Sequence, residues 1–293
     1  MSKVVCFGEV LWDVFPTHKK IGGAPLNVAL RLNSFGNDVT MISSVGSDPD
    51  GKQIIDFIKE NGISADEIQI NDEYQTSHVN VILDSKGSAT YTIEYPCAWD
   101  FIVLKKTSKD LVQNSDAFIF GSLVARNEVS GITLFELLKL ARYKVFDVNL
   151  RAPHYHMILL EKLMKEADFI KFNDDELIEI CTFFNFRSDV LEDNINFISS
   201  KTNTKNICVT LGGDGAIFYT NDTFFRSSGY KVSVKDTVGA GDSFLATLID
   251  GILQGKRPEE CLNTACAVGA LVASKDGANP KISAREVQNL MQL

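Results

Sequence analysis

The segments ITLFELLKLARYKVFDV (residues 132–148) and MILLEKLMKEADFIKF (residues 157–172) decide the fold class that the sequence predicts. Each segment opens with apolar residues at helical spacing and ends on a short apolar run, KVFDV or FIKF, of strand length. Strands that are apolar on both faces and alternate with helices are typical of a parallel sheet covered by helices on both sides. The two segments therefore predict an α/β fold with a mostly parallel sheet.

The same alternation extends over the rest of the chain. Further apolar runs of strand length lie at Val4–Phe7, Val39–Ser43, Ala117–Phe120 and Ile207–Leu211. Further helical patterns lie at Asn27–Phe35, Ile54–Glu60, Ser243–Gln254, Cys261–Ala273 and Ser283–Gln292. After the last parallel strand, Ala216–Tyr219 and Thr223–Arg226 are typical of antiparallel additions to the sheet. We expect right-handed crossovers between the parallel strands.

One stretch interrupts this alternation. Gln75–Leu83 and Ser88–Tyr95 have the pattern of two strands around a turn at Asp84–Gly87. No helical segment follows that could cover this hairpin. We interpret it as a lid that projects from the edge of the sheet, and an ordinary hairpin on the main sheet is the alternative.

Length, charge and cysteine content restrict the classes of function. The chain has 293 residues and a formal net charge of −9, and an acidic surface argues against nucleic acid as the main partner. No apolar stretch approaches the roughly 20 residues that span a bilayer, and the first residues lack a signal-peptide layout. The six cysteines form no Cys-x-x-Cys pair, which is typical of reduced thiols rather than a zinc site. We therefore expect a cytoplasmic protein with no membrane partner.

The strongest chemical signal is the segment DTVGAGDSF (residues 236–244). Its glycines allow a tight turn, and the first amides of the helix that follows have no intrahelical acceptor, which suits an anion. A carboxylate at Asp242 would repel a bound phosphate, but it could take a proton from an attacking hydroxyl. The alternative is a tight turn with an Asp near the helix cap. The segment lacks the Lys of a Walker A motif, so it is not a P-loop. It also lacks the third glycine of a dinucleotide-binding fingerprint, because that position is Phe244.

A second cluster follows the first predicted strand. Gly22 and Gly23 allow close approach of the backbone to a ligand, and Asn27 can both donate to and accept from a hydroxyl. Asp13 is a candidate acceptor for sugar hydroxyls, with a solvated turn residue as the alternative. Open α/β sheets bind ligands at this end of their strands.

Three further polar clusters end predicted strands. In Asp147–Arg151, Arg151 could meet a substrate hydroxyl or phosphate. In Asn173–Glu176, the two end residues could hold magnesium through water, or could form a helix cap with an acidic first turn. In Thr210–Gly215, the glycines could admit a nucleotide or turn a hairpin. Because all these clusters follow parallel strands, we expect them to meet at one edge of the sheet.

These residues together resemble the PfkB, or ribokinase-like, family of carbohydrate kinases, and within it the fructokinases. The segment Gly22–Gly51 is similar to the family's first signature, Asp236–Phe244 to its second, and Asn173–Glu176 to its magnesium and phosphate motif. The resemblance covers essentially the whole chain. It implies a single domain over residues 1–293 with a three-layer α/β/α fold and a small β lid formed by about 12–20 and 72–100.

The resemblance also implies roles for individual residues. The catalytic residues would be the base Asp242 and an anion hole formed by the amides of Gly239, Ala240 and Gly241. The sugar-binding residues would be Asp13, Gly23 and Asn27, to which the residue pattern adds Arg151. The residues that bind ATP and its metal would be Asn173, Glu176, Thr210, Gly212 and Gly215. Glu176 would hold Mg²⁺ through water, and Asp236 would begin a loop that helps hold a monovalent cation such as K⁺ with the later loop near Gly277.

The substrate is a finer question. Asp147–Arg151 and Ala98–Phe101 resemble fructokinases more than ribokinases or adenosine kinases, so the resemblance favours fructose, with 2-keto-3-deoxygluconate next. The sequence is also compatible with a nucleoside kinase and with a non-catalytic sugar-sensing protein on the same fold. Cys266 stands where some relatives place an Asn near the adenine, which leaves nucleotide preference open. In relatives the lid often pairs between subunits, so a homodimer is a further expectation.

Overall fold

A large central sheet and a smaller sheet organise the chain, of which the computed structural model describes residues 1–83 and 89–292. The strands among these residues are β1 Lys3–Phe7, β2 Leu11–Val14, β3 Lys19–Gly22, β4 Asp38–Gly46, β5 Ile68–Asn71, β6 Ser77–Leu83, β7 Ala89–Ile93, β8 Ala117–Gly121, β9 Lys144–Asp147, β10 Phe169–Asn173, β11 Asn206–Thr210, β12 Ala216–Thr220 and β13 Thr223–Ser227. The helices are α1 Ala24–Ser34, α2 Pro49–Glu60, α3 Lys106–Gln113, α4 Glu128–Leu138, α5 Met157–Glu166, α6 Asp174–Phe183, α7 Leu191–Thr202, α8 Ala240–Leu253, α9 Pro258–Ala273 and α10 Ala284–Met291.

The large sheet has the strand order β13-β12-β11-β10-β9-β8-β1-β4-β5 within the described residues. The strands from β11 through β5 pair in parallel. The strands β12 and β13 add to one edge in antiparallel fashion, as predicted. The carboxyl ends of the parallel strands therefore lie along one edge, where the polar clusters were expected to meet.

Alternate residues of the central strand β1 enter two separate cores. Val4 and Cys6 belong to a hydrophobic cluster with residues of α1, α8 and α9. Val5 and Phe7 belong to a second cluster with residues of α4, α5, α6 and α7. Since successive side chains of a strand point to opposite faces, the sheet is buried between two helical layers. The predicted three-layer α/β/α architecture is confirmed.

The expected lid hairpin forms part of the smaller sheet, whose order is β3-β2-β6-β7. β6 pairs antiparallel with β7 and parallel with β2. The hairpin is thus not an ordinary addition to the main sheet. Its turn at 84–87 lies outside the described residues, and pairing of this sheet with a second copy of the chain stays a prediction.

Two helices begin earlier than the apolar pattern predicted. α1 begins at Ala24 rather than Asn27, and α2 at Pro49 rather than Ile54. Both have a proline in the first turn, where a missing amide costs nothing. The first turn of α2 is mostly polar, so the periodicity could not locate it. The first turn of α1 includes buried Leu26, but the proline beside it is a residue that a helical pattern does not predict.

The cysteines and the lengths of the helices bear on two further expectations from the sequence. All six cysteines are buried and free of disulfide bonds, as expected for reduced thiols. Within residues 1–83 and 89–292, no helix combines the length and apolar character that crossing a bilayer requires.

Candidate active site

A cavity of about 720 Å³ lies between the carboxyl ends of the parallel strands and the smaller sheet. The large sheet, the smaller sheet, α1, the start of α8 and the loops between these elements supply its walls. The predicted site residues that line it are Asp13, Gly23, Asn27, Arg151, Asn173, Glu176, Thr210, Gly239, Gly241 and Asp242. Residues from several separate parts of the sequence therefore meet in one space, as the strand-end argument predicted.

The glycine-rich loop ends in the first turn of α8. Gly239 caps the helix with a left-handed φ of 75°, and a side chain there would collide with Ala278. The amide of Ala240 donates to the carbonyl of Thr237 at 3.2 Å, so this turn already uses one of the three expected anion-hole amides. The amides of Gly239 and Gly241 have no acceptor within the described part of the chain, so a ligand anion could accept from them.

Asp242 lies at the base of this turn, partly buried against α1. Its Oδ2 accepts a hydrogen bond from Asn27 Nδ2 at 2.8 Å. Burial and, to a smaller extent, the nearby charge of Asp147 raise the pKa of the Asp242 carboxyl to about 6, against lowering by Asn27 and Lys171. A carboxylate with a pKa near neutrality is suited to accept a proton from a hydroxyl. Asp242 lies in the first turn of α8, as the alternative of a tight turn with an Asp near the helix cap also predicts. Its carboxylate accepts from Asn27 and caps no described amide of α8.

Asp13 and Gly23 line the same cavity as Asp242. Asp13 lies within β2 and is half-buried, so it is not a solvated turn residue. Burial raises its pKa to about 6, and the charge of Asp242 adds to this while Arg151 opposes it. Gly23 has a φ of 114°, and a side chain there would strike the carbonyl of Glu9. The glycine thus lets the start of α1 lie against the backbone of Glu9, and close approach to a ligand stays a prediction.

Lys171 is a site residue that sequence reasoning missed. It lines the cavity, is buried, and donates to Asp147 Oδ1 at 2.8 Å. Burial alone would lower its pKa, but the carboxylates of Asp147 and Glu176 outweigh burial and raise it. A Cβ added to Gly241 would lie 3.6 Å from Lys171 Nζ, so a permanent positive charge sits beside the glycine-rich loop. The available signal was a lysine inside the otherwise apolar strand FIKF.

Glu9 is a second residue that was missed. It is 4% exposed and lines the same cavity. Its Oε2 is buried without a hydrogen-bond partner among the residues described. Burial raises the pKa of this carboxyl to about 7. The signal was a carboxylate immediately after an apolar strand, FGE, at the edge where ligands bind.

Asn173 and Glu176 form a reciprocal helix cap at the start of α6. Asn173 Oδ1 accepts from the amide of Glu176 at 2.7 Å, and Glu176 Oε2 accepts from the amide of Asn173 at 2.9 Å. The second oxygen, Oε1, accepts from the amide of Leu150 at 2.8 Å. The cap interpretation is therefore confirmed. Both residues also line the cavity, so the two interpretations are compatible if a metal is held through water.

A second cavity of about 600 Å³ adjoins the first. Thr210, Thr237 and Gly241 line both cavities. The second cavity also contains the predicted nucleotide residues Gly212 and Gly215, together with Ala240. Gly215 has a φ of 92°, and a side chain there would collide with the backbone of Ser227 and Gly229. The absence of a side chain at Gly215 thus allows its loop to pack against the loop at Ser227–Gly229, beside the cavity.

Apolar side chains dominate the far end of the second cavity. They come from the loop before the glycine-rich turn and from α8 and α9, and they include Tyr230, Val232, Val234, Phe244, Cys266 and Ala270. An apolar lining suits a nucleobase. Cys266 lies among them, as the sequence position predicted.

Asp236 is not among the residues that line either cavity. Its Oδ1 accepts from the amide of Val238 at 3.0 Å, and its Oδ2 accepts from the amide of Gly277 at 3.1 Å. The residue thus joins the two loops that were expected to hold a monovalent cation, but through direct hydrogen bonds. Among the described residues, no three His, Cys, Asp or Glu side chains group closely enough to bind a metal directly.

The arrangement offers the parts that group transfer to a hydroxyl needs. Asp242 can receive a proton, two free amides and Lys171 can stabilise a developing anion, and two adjoining cavities can hold two reactants.

Comparisons with known proteins agree on one family. The family model for pfkB family carbohydrate kinases matches residues 1–285. Probable fructokinase-7 of Arabidopsis thaliana is 29% identical to this chain, and the alignment covers 98% of this chain and 92% of the relative.

Solved structures share the fold over the whole length. Fructokinase with bound ATP from Xylella fastidiosa has a TM-score of 0.87 and 23% identity, covering 99% of this chain and 98% of that chain. A fructokinase double mutant from Vibrio cholerae O395, in a form with bound fructose, ADP and potassium ion, has a TM-score of 0.86 and 23% identity. The match covers 99% of this chain and 98% of that chain.

Proposed function

The chain belongs to the pfkB family of carbohydrate kinases, has the ribokinase-like fold and is a sugar phosphotransferase, and we propose that it phosphorylates fructose with ATP, using Asp242 as the base. The observation that carries the proposal is the position of Asp242. Its carboxylate lines the first cavity and accepts from Asn27. One residue away, Gly241 lines both cavities and has a free amide. The carboxylate and the amide can therefore act at the boundary between two reactants.

The first cavity is assigned to the sugar. Asp13 and Asn27 both supply hydrogen-bonding groups to it, and Gly23 adds backbone without a side chain. A sugar hydroxyl held within hydrogen-bond distance of Asp242 would lose its proton to that carboxylate as it attacks the phosphorus. Asn27 holds the carboxylate in place through its hydrogen bond to Oδ2.

The second cavity is assigned to ATP. Its apolar end fits a nucleobase, and its other end reaches the glycine-rich turn through Gly241. The transferring phosphoryl group would then meet the free amides of Gly239 and Gly241 and the Lys171 ammonium. Phosphoryl transfer depends mostly on positioning and on charge stabilisation, and these groups supply both without reorganising.

The carboxylates near the first cavity fit Mg²⁺ through water. Both oxygens of Glu176 already accept backbone amides, so a metal ion would contact this carboxylate by way of its water ligands, as magnesium commonly does. Mg²⁺ bound with the triphosphate would neutralise part of the negative charge on the transferring group. Asp236 and the loop near Gly277 are assigned to a K⁺ site, in line with the potassium ion in the Vibrio cholerae structure.

Charge in the first cavity supports a neutral sugar over a sugar acid. The described lining residues include four carboxyl groups, Glu9, Asp13, Glu176 and Asp242, but only two cationic groups, Arg151 and Lys171. Lys171 is already paired with Asp147. A substrate carboxylate such as that of 2-keto-3-deoxygluconate would be repelled there. Fructose carries no charge, and the relatives named above are fructokinases.

The proposal is tested by a panel of acceptors with coupled detection of ADP release. The panel contains fructose, 2-keto-3-deoxygluconate, ribose and adenosine, each with ATP and Mg²⁺. We expect the highest kcat/KM with fructose. A higher value for another acceptor would replace fructose as the substrate, and ADP release that depends on none of them would support a sugar-sensing protein instead.

A further inference from the structure

We infer that Asn279 is a positioning residue, which holds the Asn27 amide in the orientation that donates to the base Asp242. Asn279 lies in the loop between α9 and α10 and is not among the residues that line either cavity. It therefore acts through Asn27 rather than by touching a substrate. The inference rests on the proposed role of Asp242.

The three residues form a continuous hydrogen-bonded chain. Asn279 Nδ2 donates to Asn27 Oδ1 at 2.7 Å, and Asn27 Nδ2 donates to Asp242 Oδ2 at 2.8 Å. Asn27 is 5% exposed, and it is held between a loop on one side and α8 on the other. The Nδ2 of Asn27 contacts Asp242 and its Oδ1 contacts Asn279, so both residues together determine the orientation of the amide.

The direction of this chain follows from chemistry. An ionised carboxylate can only accept, so Asn27 must turn its NH₂ group toward Asp242 and its oxygen toward Asn279. Asn279 matches this requirement by presenting a donor. Without that donor, the Asn27 amide can rotate and direct its oxygen at the carboxylate, where it would repel the ionised form. Asn279 thus favours the charged state of Asp242 that accepts the proton.

A second bridge parallel to the first fastens the same loop. Buried Arg31, one helical turn after Asn27 on α1, donates to Ser243 Oγ at 3.1 Å and to the carbonyl of Pro280 at 3.0 Å. Ser243 directly follows Asp242 in the chain, and Pro280 directly follows Asn279. Two side chains of α1 therefore join α8 to the loop at adjacent positions. This explains how an exposed loop residue can be held accurately enough to orient a buried amide.

The decisive experiment is a double-mutant cycle between positions 279 and 27, with fructose and ATP as substrates. A net hydrogen bond contributes about 0.5–1.5 kcal/mol, so Asn279→Ala should lower kcat by about 2- to 10-fold. The KM for ATP should not change. In an Asn27→Ala background, Asn279→Ala should have no further effect, because its route to Asp242 through Asn27 is gone. Equal losses in both backgrounds would overturn the inference.

The pH profile of kcat separates positioning from a structural role. The charged groups that face Asp242 are Asp147, Lys171 and Arg151, together with Glu9 and Asp13 across the cavity. All five stay in place in the position 279 variants. Asn279→Ala should therefore move the acid limb to higher pH. Asn279→Asp should move it further, because an acceptor at 279 draws the Asn27 NH₂ group away from Asp242 and adds a negative charge.

Control variants distinguish a failure of the inference about Asn279 from a failure of the proposed role of Asp242. Asn33→Ala removes another α1 amide, one that donates to the carbonyl of Asn61 at 2.7 Å, and should leave the pH profile unchanged. Asn279 is exposed, so its variants should stay folded, with only a small fall in unfolding temperature from the lost hydrogen bond. A wild-type pH profile in both folded 279 variants would refute the inference alone. Wild-type turnover in Asp242→Asn would instead refute the proposed base, whatever the position 279 variants do.

Discussion

At the scale of single residues, the first cavity concentrates carboxyl groups that burial makes hard to ionise. Burial raises the pKa of Glu9 to about 7 and the pKa values of Asp13 and Asp242 to about 6. The charge of Asp242 also raises the pKa values of Glu9 and Asp13. The ionised forms that bind and react are therefore held at a cost in stability, as is common at functional sites.

Glu9→Gln should reveal this cost as a pH-dependent gain in stability. The unfolded chain releases the Glu9 proton near pH 4.3, whereas in the folded protein burial raises the pKa to about 7. Between these values the folded state binds more protons, so the wild type loses stability as pH rises. The free energy of unfolding of the variant, relative to wild type, should increase by about 2–3 kcal/mol from pH 5 to pH 8.

Urea unfolding at the two pH values measures this difference. The packing cost of glutamine cancels because it is the same at both pH values. A relative stability that stays constant between pH 5 and pH 8 would mean that Glu9 ionises normally in the folded protein.

Residue-scale reasoning identified polar side chains that directly follow an apolar strand or a glycine-rich turn; the structure brings them into one cavity, and their roles stay predictions. Asp242 and Asn27 were identified because glycines precede them at helix starts, and the structure brings them to 2.8 Å. Lys171 was missed because strand periodicity hides a single charge within FIKF. Asn279 was missed because a loop residue that acts through another side chain leaves no pattern in the sequence.

At the scale of elements, the start of α6 shows how one motif can serve structure and function. Asn173 and Glu176 satisfy each other's backbone amides. The same side chains line the cavity assigned to the sugar. In the proposed function, Asn173 and Glu176 therefore both cap α6 and help to hold a metal ion.

Variants at Asn173 can separate these roles. Asn173→Ala removes the cap and should lower the free energy of unfolding by about 1 kcal/mol. Asn173→Ser keeps a good cap, so its stability should stay within about 0.5 kcal/mol of wild type. If Asn173 also helps to hold hydrated magnesium, both variants should require more Mg²⁺ for half-maximal activity.

Chemical denaturation and a magnesium titration of the activity check this prediction. An unchanged Mg²⁺ requirement in the stable Asn173→Ser variant would leave the cap as the only role of Asn173.

Element prediction depended on how much apolar pattern each element carries. The buried strand β8 was predicted as Ala117–Phe120 and runs Ala117–Gly121. The short strands β2, β3 and β5 were not recognised from pattern, since each has only four residues and none is a continuous apolar run. Helix starts rich in proline and polar residues were also missed, because capping depends on side-chain geometry rather than periodicity.

At the scale of the whole molecule, the large sheet and the smaller sheet both line the cavity assigned to the sugar. The smaller sheet contributes Leu11, Asp13 and Val79, and the large sheet contributes the side that carries Lys171 and Asn173. A sugar between them would contact both. Contact of this kind excludes water and limits wasteful hydrolysis of ATP.

Hydrogen exchange should detect this enclosure. With fructose and ADP bound, we expect slower amide exchange in Leu11–Val14, because a bound sugar ties β2 to the large sheet. Lys3–Phe7, at the centre of the large sheet, is the internal control and should not change. Unaltered exchange in Leu11–Val14 at saturating ligand would contradict a role of the smaller sheet in enclosing the sugar.

The overall topology was largely predictable from the sequence. Apolar strands alternating with helices imply a parallel sheet, and polar clusters after several strands imply one site at its edge. The joining of β2 and β3 with β6 and β7 into one small sheet does not follow from the apolar pattern. The two pairs of strands are far apart in the chain, and their pairing depends on tertiary contacts that periodicity does not encode.

The central claim is that Asp242 takes the proton from the sugar hydroxyl, and the turnover of Asp242→Asn tests it most directly. Asparagine keeps the size of the side chain but cannot accept the proton, so kcat should fall by at least about 10²–10⁴-fold while sugar affinity changes little. A folded Asp242→Asn variant with wild-type kcat would contradict the account.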